Sequence, residues 1–261
     1  MKLNQVAAQL YTVREYCKTA VDLALTAKKV RQIGYTAVQI SGVGPIPDKE
    51  IAEIMRNEKL TICATHEPAT EVLDAVLDEP ERVIARLRSL DCTYAAYPFA
   101  RGVDFANAEQ LARLVSKLDA SGAKFRAAGL TLGYHNHAVE FVKFRGAPVL
   151  DYIFANTRPD NLAAELDTYF IHYGGGDVVE WCEKLKGRLP VIHIKDYGFT
   201  AEKGHGWCEI GNGNLNWQKI IPAAEKSGCR WFIVEQETCP GDPFESLAIS
   251  FNYIKASLVD G

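Results

Sequence analysis

The sequence predicts a (β/α)₈ barrel, which is a closed ring of eight parallel strands surrounded by helices. Three observations favour this fold. Short apolar runs recur about every 25–40 residues, and each is followed by a stretch of helical length. The chain has 261 residues, of which 48% are hydrophobic, and this suits one such barrel. No GxGxxG fingerprint of a doubly wound open sheet follows the first predicted strand. We therefore predict one domain over residues 1–261.

The predicted barrel strands are runs rich in β-branched, aromatic or small apolar residues. In chain order they are 5–10, 35–40, 60–65, 92–97, 130–136, 162–167, 190–195 and 230–235. The helical segments between them end at glycine before the next strand begins, as at Gly34, Gly129 and Gly228. Glycine is a common stop signal at a helix C-terminus. Repetition of helix, glycine and strand favours parallel βα units.

Charge and composition exclude several classes of function. The formal net charge is −4 and no run of five lysines or arginines occurs, so we expect no nucleic-acid partner. No apolar stretch approaches the length of a membrane span, and the first residues do not resemble a signal peptide. The seven cysteines form no CxxC pair. We therefore expect reduced thiols, a cytoplasmic location and no membrane partner.

Polar residues gather at the C-terminal ends of the later strands, where a barrel places its active site. Glu140, Asp167, His193 and Glu235 follow or end four successive strands. Carboxylates placed inside a barrel must be paired or must bind a cation, because an isolated buried charge is costly. Three carboxylates and one imidazole suit Mn²⁺, Mg²⁺ or Co²⁺, and Zn²⁺ remains a candidate. The sequence therefore predicts one divalent metal ion.

Five segments then carry a resemblance to a known family. They are GYHNHAVEF (133–141), ELDTYF (165–170), HIKD (193–196), EIGNGNLNW (209–217) and FIVEQE (232–237). They resemble segments of the xylose-isomerase-like TIM-barrel superfamily, which includes sugar phosphate isomerases/epimerases, ketose 3-epimerases, inosose dehydratases and endonuclease IV nucleases. The resemblance spans the chain and implies a single metal held by Glu140, Asp167, His193 and Glu235. It also implies a small carbohydrate substrate and allows a homo-oligomer.

The resemblance implies chemistry that begins with removal of a proton next to a carbonyl, which gives an enediolate. A metal ion stabilises the resulting oxyanion, and carboxylates remove and return the proton. The implied catalytic pair is Glu140 and Glu235. This implies a metal-dependent isomerase or epimerase of a sugar or sugar phosphate.

Further residues near the strand ends are predicted to bind the substrate: His66, His135, Lys195, Trp207 and Glu209. Structural alternatives stay open for several site residues. Lys195 can form a salt bridge with a neighbouring carboxylate, Asp167 can cap the following helix, and His193 can be a hydrogen-bonded core residue.

The sequence departs from its relatives at Phe170, where many epimerase-type members carry histidine. A nuclease of the endonuclease IV type would need more histidines and a basic face, so we do not expect that activity. Two alternatives to the isomerase remain open. One is a lyase or dehydratase acting on a keto-polyol or 3-keto-glycoside, as in inosose dehydratases. The other is a non-catalytic sugar-binding or partner subunit.

Overall fold

A computed structural model describes residues 1–67, 74–201 and 204–259. Eight parallel strands close into a barrel in which each strand pairs with its neighbours in sequence and the last pairs with the first. The strands are β1 Val6–Gln9, β2 Ala37–Ile40, β3 Thr61–His66, β4 Tyr94–Tyr97, β5 Thr131–His135, β6 Ala163–Asp167, β7 Val191–Ile194 and β8 Trp231–Val234. The predicted (β/α)₈ fold and all eight predicted strands are confirmed.

Helices surround the barrel. They are α1 Ala20–Ile33, α2 Asp48–Asn57, α3 Ala75–Asp78, α4 Pro80–Ser89, α5 Ala108–Ala127, α6 Val149–Ala155, α7 Thr168–Tyr173, α8 Val178–Lys184, α9 Trp217–Lys226 and α10 Pro243–Ser257. The predicted glycine stops are confirmed. Gly34 caps α1 with φ of +127°, a conformation that L side chains rarely adopt, and a Cβ there would lie 2.4 Å from the Phe251 ring. Within the described ranges, no helix is long and apolar enough to cross a membrane.

The barrel interior is divided into an apolar layer and a polar layer. The apolar layer consists largely of small residues such as Ala7, Ala37 and Ala64, together with larger side chains such as Tyr94 and Ile233. The fit is tight, because a Cβ on Gly133 would lie 1.8 Å from the Tyr94 hydroxyl. Buried polar side chains lie further along the same strands, toward their C-terminal ends. This division leaves the polar chemistry at one end of the barrel.

The residues after β7 form a second, smaller sheet outside the barrel. Asp196–Thr200 and Gly204–Cys208 form an antiparallel ribbon, which we call the β7 ribbon. Its Trp207 ring stacks on Tyr169 of α7, with the centroids 5.3 Å apart and the planes inclined by 20°. Asp196 anchors the segment that follows, because its carboxylate accepts hydrogen bonds from the backbone of Gly211, Gly213 and Leu215.

Candidate active site

Two overlapping groups of metal-ligating side chains lie at the C-terminal ends of the strands. The first, which we call the outer group, consists of His135, Asp167, His193 and Glu235, and the second, the inner group, consists of His66, His135, Glu165 and His193. Within each group the ligand atoms lie within 4.8 Å of one another. On β6, Glu165 precedes Asp167 by two residues, so it faces the same side but lies deeper in the barrel.

Lys195 supplies a positive charge to the outer group. Its ammonium Nζ is 2.9 Å from Asp167 Oδ2, 3.0 Å from Glu235 Oε2 and 2.9 Å from Glu237 Oε1. Burial opposes the charge, but these carboxylates raise the pKa of Lys195, so the ammonium stays charged. The expected salt bridge of Lys195 is thus confirmed, and its partners come from two other strand ends.

Asp167 has two roles at the end of β6. Its Oδ1 accepts a hydrogen bond from the Phe170 N–H at 3.0 Å, which caps α7, while Oδ2 faces Lys195. Burial raises the pKa of Asp167, and the nearby Lys195 opposes this. The helix cap expected as an alternative is therefore present together with the position in the outer group.

His193 lies between the two groups. Its Nδ1 is 2.8 Å from Glu235 Oε2 and its Nε2 is 3.2 Å from Glu165 Oε1. Burial opposes a charge on the ring, but Glu165 and Glu235 raise the pKa of His193 to about 10. Burial also opposes the charge of Glu235, yet Lys195 and His193 hold its pKa well below the usual range. Glu235 is therefore an ionised carboxylate at neutral pH.

Glu140 lies outside both groups. It is fully buried, and its carboxylate accepts hydrogen bonds from the Tyr134 hydroxyl and from the His137 N–H, both at 2.8 Å. Burial raises the pKa of Glu140 to about 7, although these two donors oppose the shift. The structure thus brings together Asp167, His193 and Glu235 of the predicted ligand set. It places His135, and not Glu140, beside them.

A cavity of about 280 Å³ opens beside the outer group. Its lining includes His66, His135, His137, Glu235 and Glu237, with Tyr11 and Phe99 at the rim. A hollow of about 360 Å³ beside Trp181 and Arg188 is larger, but it lies beside the C-terminal ends of α6 and α8 and has no converging acid and imidazole side chains. The cavity at the strand ends is therefore the candidate active-site cavity.

The residues predicted to bind substrate are distributed unevenly around this cavity. His66 and His135 line it, and Lys195 contacts the carboxylates beside it. Trp207 and Glu209 are not among the described lining residues. Trp207 belongs to the β7 ribbon, and the buried Glu209 accepts a hydrogen bond from the Ser246 hydroxyl at 2.8 Å.

Sequence reasoning assigned no role to Glu165 or Glu237. The position of Glu165 two residues before Asp167 was an available signal, because alternate residues of a strand face the same side. Glu237 follows β8 without such a pattern. Phe170, which replaces the histidine of many relatives, packs 4.6 Å from the His137 ring, and Lys195 Nζ lies 4.5 Å from its centroid.

The outer group suits a divalent cation. Two carboxylates and two imidazoles match the ligand preferences of Mn²⁺, Co²⁺ or Zn²⁺, and the imidazoles make Mg²⁺ a poorer fit. Three buried carboxylates, Glu165, Asp167 and Glu235, surround this region, and Lys195 is the only lysine that contacts any of them among the described ion pairs. An added cation would balance the remaining negative charge.

Comparisons with known proteins agree with this fold. The family described as xylose isomerase-like TIM barrel matches residues 27–256. An inosose dehydratase from Salmonella agona (strain SL483) is 27% identical over 170 residues, which cover 57% of this chain and 52% of that enzyme. The chain thus matches about half the length of this curated relative.

Solved structures share the fold over almost the whole chain. A sugar phosphate isomerase/epimerase from Parabacteroides distasonis ATCC 8503 has a TM-score of 0.81 at 21% identity and covers 97% of this chain and 98% of its own. An L-ribulose 3-epimerase has a TM-score of 0.75 at 16% identity and covers 99% of this chain and 95% of its own. The match of the family over residues 27–256 shows that this chain belongs to the xylose isomerase-like TIM-barrel family.

Proposed function

We propose that this chain is a divalent-metal-dependent isomerase or epimerase that removes a proton from the carbon next to the carbonyl of a sugar. The observation that carries the proposal is the outer group beside the cavity. His135, Asp167, His193 and Glu235 offer two carboxylates and two imidazoles within 4.8 Å of one another. An ion held there would act as a Lewis acid toward oxygen atoms of the substrate.

Glu235 is the proposed base. It lines the cavity and is ionised at neutral pH, because Lys195 and His193 lower its pKa against the effect of burial. Glu237 also lines the cavity and is the proposed second carboxylate, which returns the proton. The resemblance gives this second role to Glu140, which stays a prediction, but Glu140 is not among the described residues that line the cavity. Lys195 contacts both glutamates, so its ammonium can balance charge that develops on the substrate.

The cavity lining favours an uncharged sugar over a sugar phosphate. Glu235 and Glu237 lie on its wall, and the described lining residues include no arginine and no lysine. A phosphate dianion would therefore be repelled by two carboxylates, and Lys195, the lysine in contact with both, is already paired with them. Tyr11 and Phe99 are 38% and 46% exposed, so each ring can contact a sugar, although the Arg14 guanidinium covers one face of Tyr11 at 4.2 Å from the centroid.

A lyase or dehydratase is the second candidate. The similarity to the inosose dehydratase from Salmonella agona, at 27% identity over 170 residues, favours it. Its first step is the same proton removal, and the reactions diverge only when a neighbouring hydroxyl leaves as water. The same cavity residues would therefore serve both reactions.

Solvent deuterium exchange tests the shared first step. The protein is incubated with Mn²⁺ in D₂O with ketoses, ketose phosphates, inososes and 3-keto-glucosides, and NMR follows deuterium at the carbon next to the carbonyl. We expect exchange with an uncharged substrate that is lost in Glu235→Gln and in chelator but kept in Glu180→Gln, an exposed glutamate on α8. Products then separate isomerase from dehydratase. Exchange that survives both chelator and Glu235→Gln would contradict the proposal, and absence of both metal binding and exchange would favour a non-catalytic sugar-binding protein.

A further inference from the structure

Glu165 lies at the centre of a network of imidazoles. It is fully buried, and its Oε1 is 2.6 Å from His66 Nε2, 3.2 Å from His193 Nε2 and 3.4 Å from His135 Nδ1. Three ring nitrogens from three strands thus face one carboxylate oxygen. An ionised carboxylate only accepts hydrogen bonds, so each of these nitrogens can hydrogen-bond to Glu165 only as an N–H donor.

Gln39 fixes the position of one hydrogen on His193. The Gln39 Nε2 amide donates to both oxygens of Glu165, at 3.2 and 3.1 Å, so its Oε1 is turned toward His193 Nε2 at 2.6 Å. Gln39 Oε1 and the Glu165 carboxylate are both acceptors. His193 Nε2 must therefore be the donor. When the ring is neutral, its lone pair lies on Nδ1, which faces Glu235 in the outer group.

His135 also lies beside Glu165, but its Nδ1 forms no hydrogen bond among the described contacts. Its Nδ1 faces Glu165, while its Nε2 lies 3.9 Å from Asp167 Oδ2 in the outer group. A hydrogen on Nδ1 leaves the lone pair on Nε2. His66 is the third imidazole beside Glu165. Its other ring nitrogen, Nδ1, lies 3.4 Å from the Ser41 hydroxyl and does not face the outer group. Both histidines of the outer group thus turn one nitrogen toward Glu165 and the other toward the ligand set.

We propose that Glu165 is a positioning residue that, together with Gln39, fixes the tautomer of His193 and holds the ring of His135 beside it, so that the lone pair of His193 Nδ1 points into the outer group and binds the metal. The inference rests on the proposed function, because it requires a metal ion in the outer group. Ligand histidines commonly donate their second N–H to a carboxylate, which orients the ring and strengthens it as a ligand. The competing arrangement places the ion in the inner group, with Glu165 and His66 as direct ligands.

Metal affinity of the full chain separates these arrangements. Mn²⁺ is titrated into metal-free protein, and the EPR signal of the free ion gives the affinity. Loss of a residue that orients metal ligands weakens binding by about 10–100-fold, and we expect this for Glu165→Gln. Glu165→Asp, which keeps the charge, should recover part of the loss. Glu235→Gln removes a ligand and should lose more, whereas His66→Gln should lose less than about tenfold.

A spectroscopic measurement excludes a purely structural effect. In Cu²⁺-loaded protein, pulsed EPR detects the remote nitrogen of each bound imidazole. Its coupling should change in Glu165→Gln, because the acceptor of that N–H has lost its charge, while circular dichroism shows the fold unchanged. If Glu165→Gln does not fold, Gln39→Leu removes the other acceptor of His193 and should also weaken Mn²⁺ binding.

The outcomes distinguish this inference from the proposed function. Wild-type protein that binds no Mn²⁺, Co²⁺ or Zn²⁺ would contradict both. Wild-type protein that binds Mn²⁺, with Glu165→Gln equal to it in affinity and in the remote-nitrogen signal, would overturn the role of Glu165 alone. A third outcome is that His66→Gln weakens Mn²⁺ binding as much as Glu165→Gln does, while Glu235→Gln leaves it unchanged. This result would place the metal in the inner group and would also overturn the role proposed for Glu165.

Discussion

Replacement of Lys195 by methionine should destabilise the metal-free protein strongly. The lysine side chain is 1% exposed, and its ammonium contacts Asp167, Glu235 and Glu237 at 2.9–3.0 Å. Methionine fills much of the same space but leaves these carboxylates without that cation. Asp167 and Glu235 are 0% and 5% exposed, so water cannot replace the lost partner.

The size of the loss depends on the cost of a buried charge without its partner. Removal of one partner from a buried ion pair costs about 3–5 kcal/mol, because the other charge stays buried. The protein can instead protonate a carboxyl group. For an aspartate with the ordinary pKa of 3.8, this costs about 4 kcal/mol at pH 7, at 1.36 kcal/mol per pH unit. We therefore expect Lys195→Met to lower the free energy of unfolding by about 3–5 kcal/mol at pH 7.

The assay is urea unfolding in EDTA, followed by circular dichroism. Lys184→Met is the matched control, because Lys184 also pairs with an aspartate, Asp151, but is 53% exposed. An exposed pair contributes at most about 1 kcal/mol, so this control should change little. If Lys195→Met lowers the free energy of unfolding no more than Lys184→Met does, Lys195 does not balance the buried carboxylates.

The loss in Lys195→Met should also depend on pH. Although burial opposes it, Lys195 and His193 lower the folded-state pKa of Glu235, so this carboxylate contributes stability above its ordinary value of 4.5. That contribution is lost as the pH falls through the folded-state pKa. In Lys195→Met, the part of this stabilisation that comes from Lys195 is absent. The difference between wild type and variant should therefore be fully present near pH 7 and should shrink only as the pH falls below 4.5 toward the folded-state pKa of Glu235.

Three further predictions follow from other contacts. Asp196→Asn should lower the free energy of unfolding by about 1.5–3 kcal/mol, because the carboxylate accepts hydrogen bonds from Trp217 Nε1 and from four backbone N–H groups. Hydrogen exchange should rise over residues 209–216, and unchanged exchange there would count against an anchoring role. Gly133→Ala should lower the free energy of unfolding by about 3 kcal/mol, because the added Cβ would lie 1.8 Å from the Tyr94 hydroxyl. Gly206→Ala should be nearly neutral in the same urea assay, because no atom lies within 4 Å of its added Cβ. Equal effects of the two substitutions would contradict this packing. Metal binding should release about one proton per ion at pH 7.5 and should strengthen as the pH rises. Burial opposes a charge on His193, but Glu165 and Glu235 raise its pKa to about 10, so the metal-free ring is charged and must lose a proton to bind the ion. Calorimetry in buffers of different ionisation enthalpy measures the number of protons released, and a value of zero would contradict the prediction.

The fold was predictable because its signals are local. Strand-length apolar runs and glycine stops such as Gly34 each depend on a few neighbouring residues, and together they specify the order of the barrel. The β7 ribbon was not predictable in this way. It depends on contacts between distant segments, such as the stacking of Trp207 on Tyr169, and the sequence carries no short-range signal for that pairing.

The site was predictable only in part, for a related reason. Asp167, His193 and Glu235 lie in or directly after strands, so the direction of the barrel fixes where their side chains meet. Glu140 lies five residues beyond the end of β5, in a short 3₁₀ turn, Val139–Phe141. That turn directs its carboxylate back to the Tyr134 hydroxyl. Its predicted roles as metal ligand and base remain predictions, and Mn²⁺ titration of Glu140→Gln tests the ligand role.

The central claim is that the outer group holds a divalent metal ion at the C-terminal ends of the strands. The most direct test is anomalous diffraction at the manganese edge from crystals of the full chain grown with Mn²⁺. We expect one strong peak in contact with Asp167, His193 and Glu235, with His135 as the remaining protein ligand. A peak beside Glu165 and His66, or no peak at the strand ends in protein that binds Mn²⁺ in solution, would contradict it.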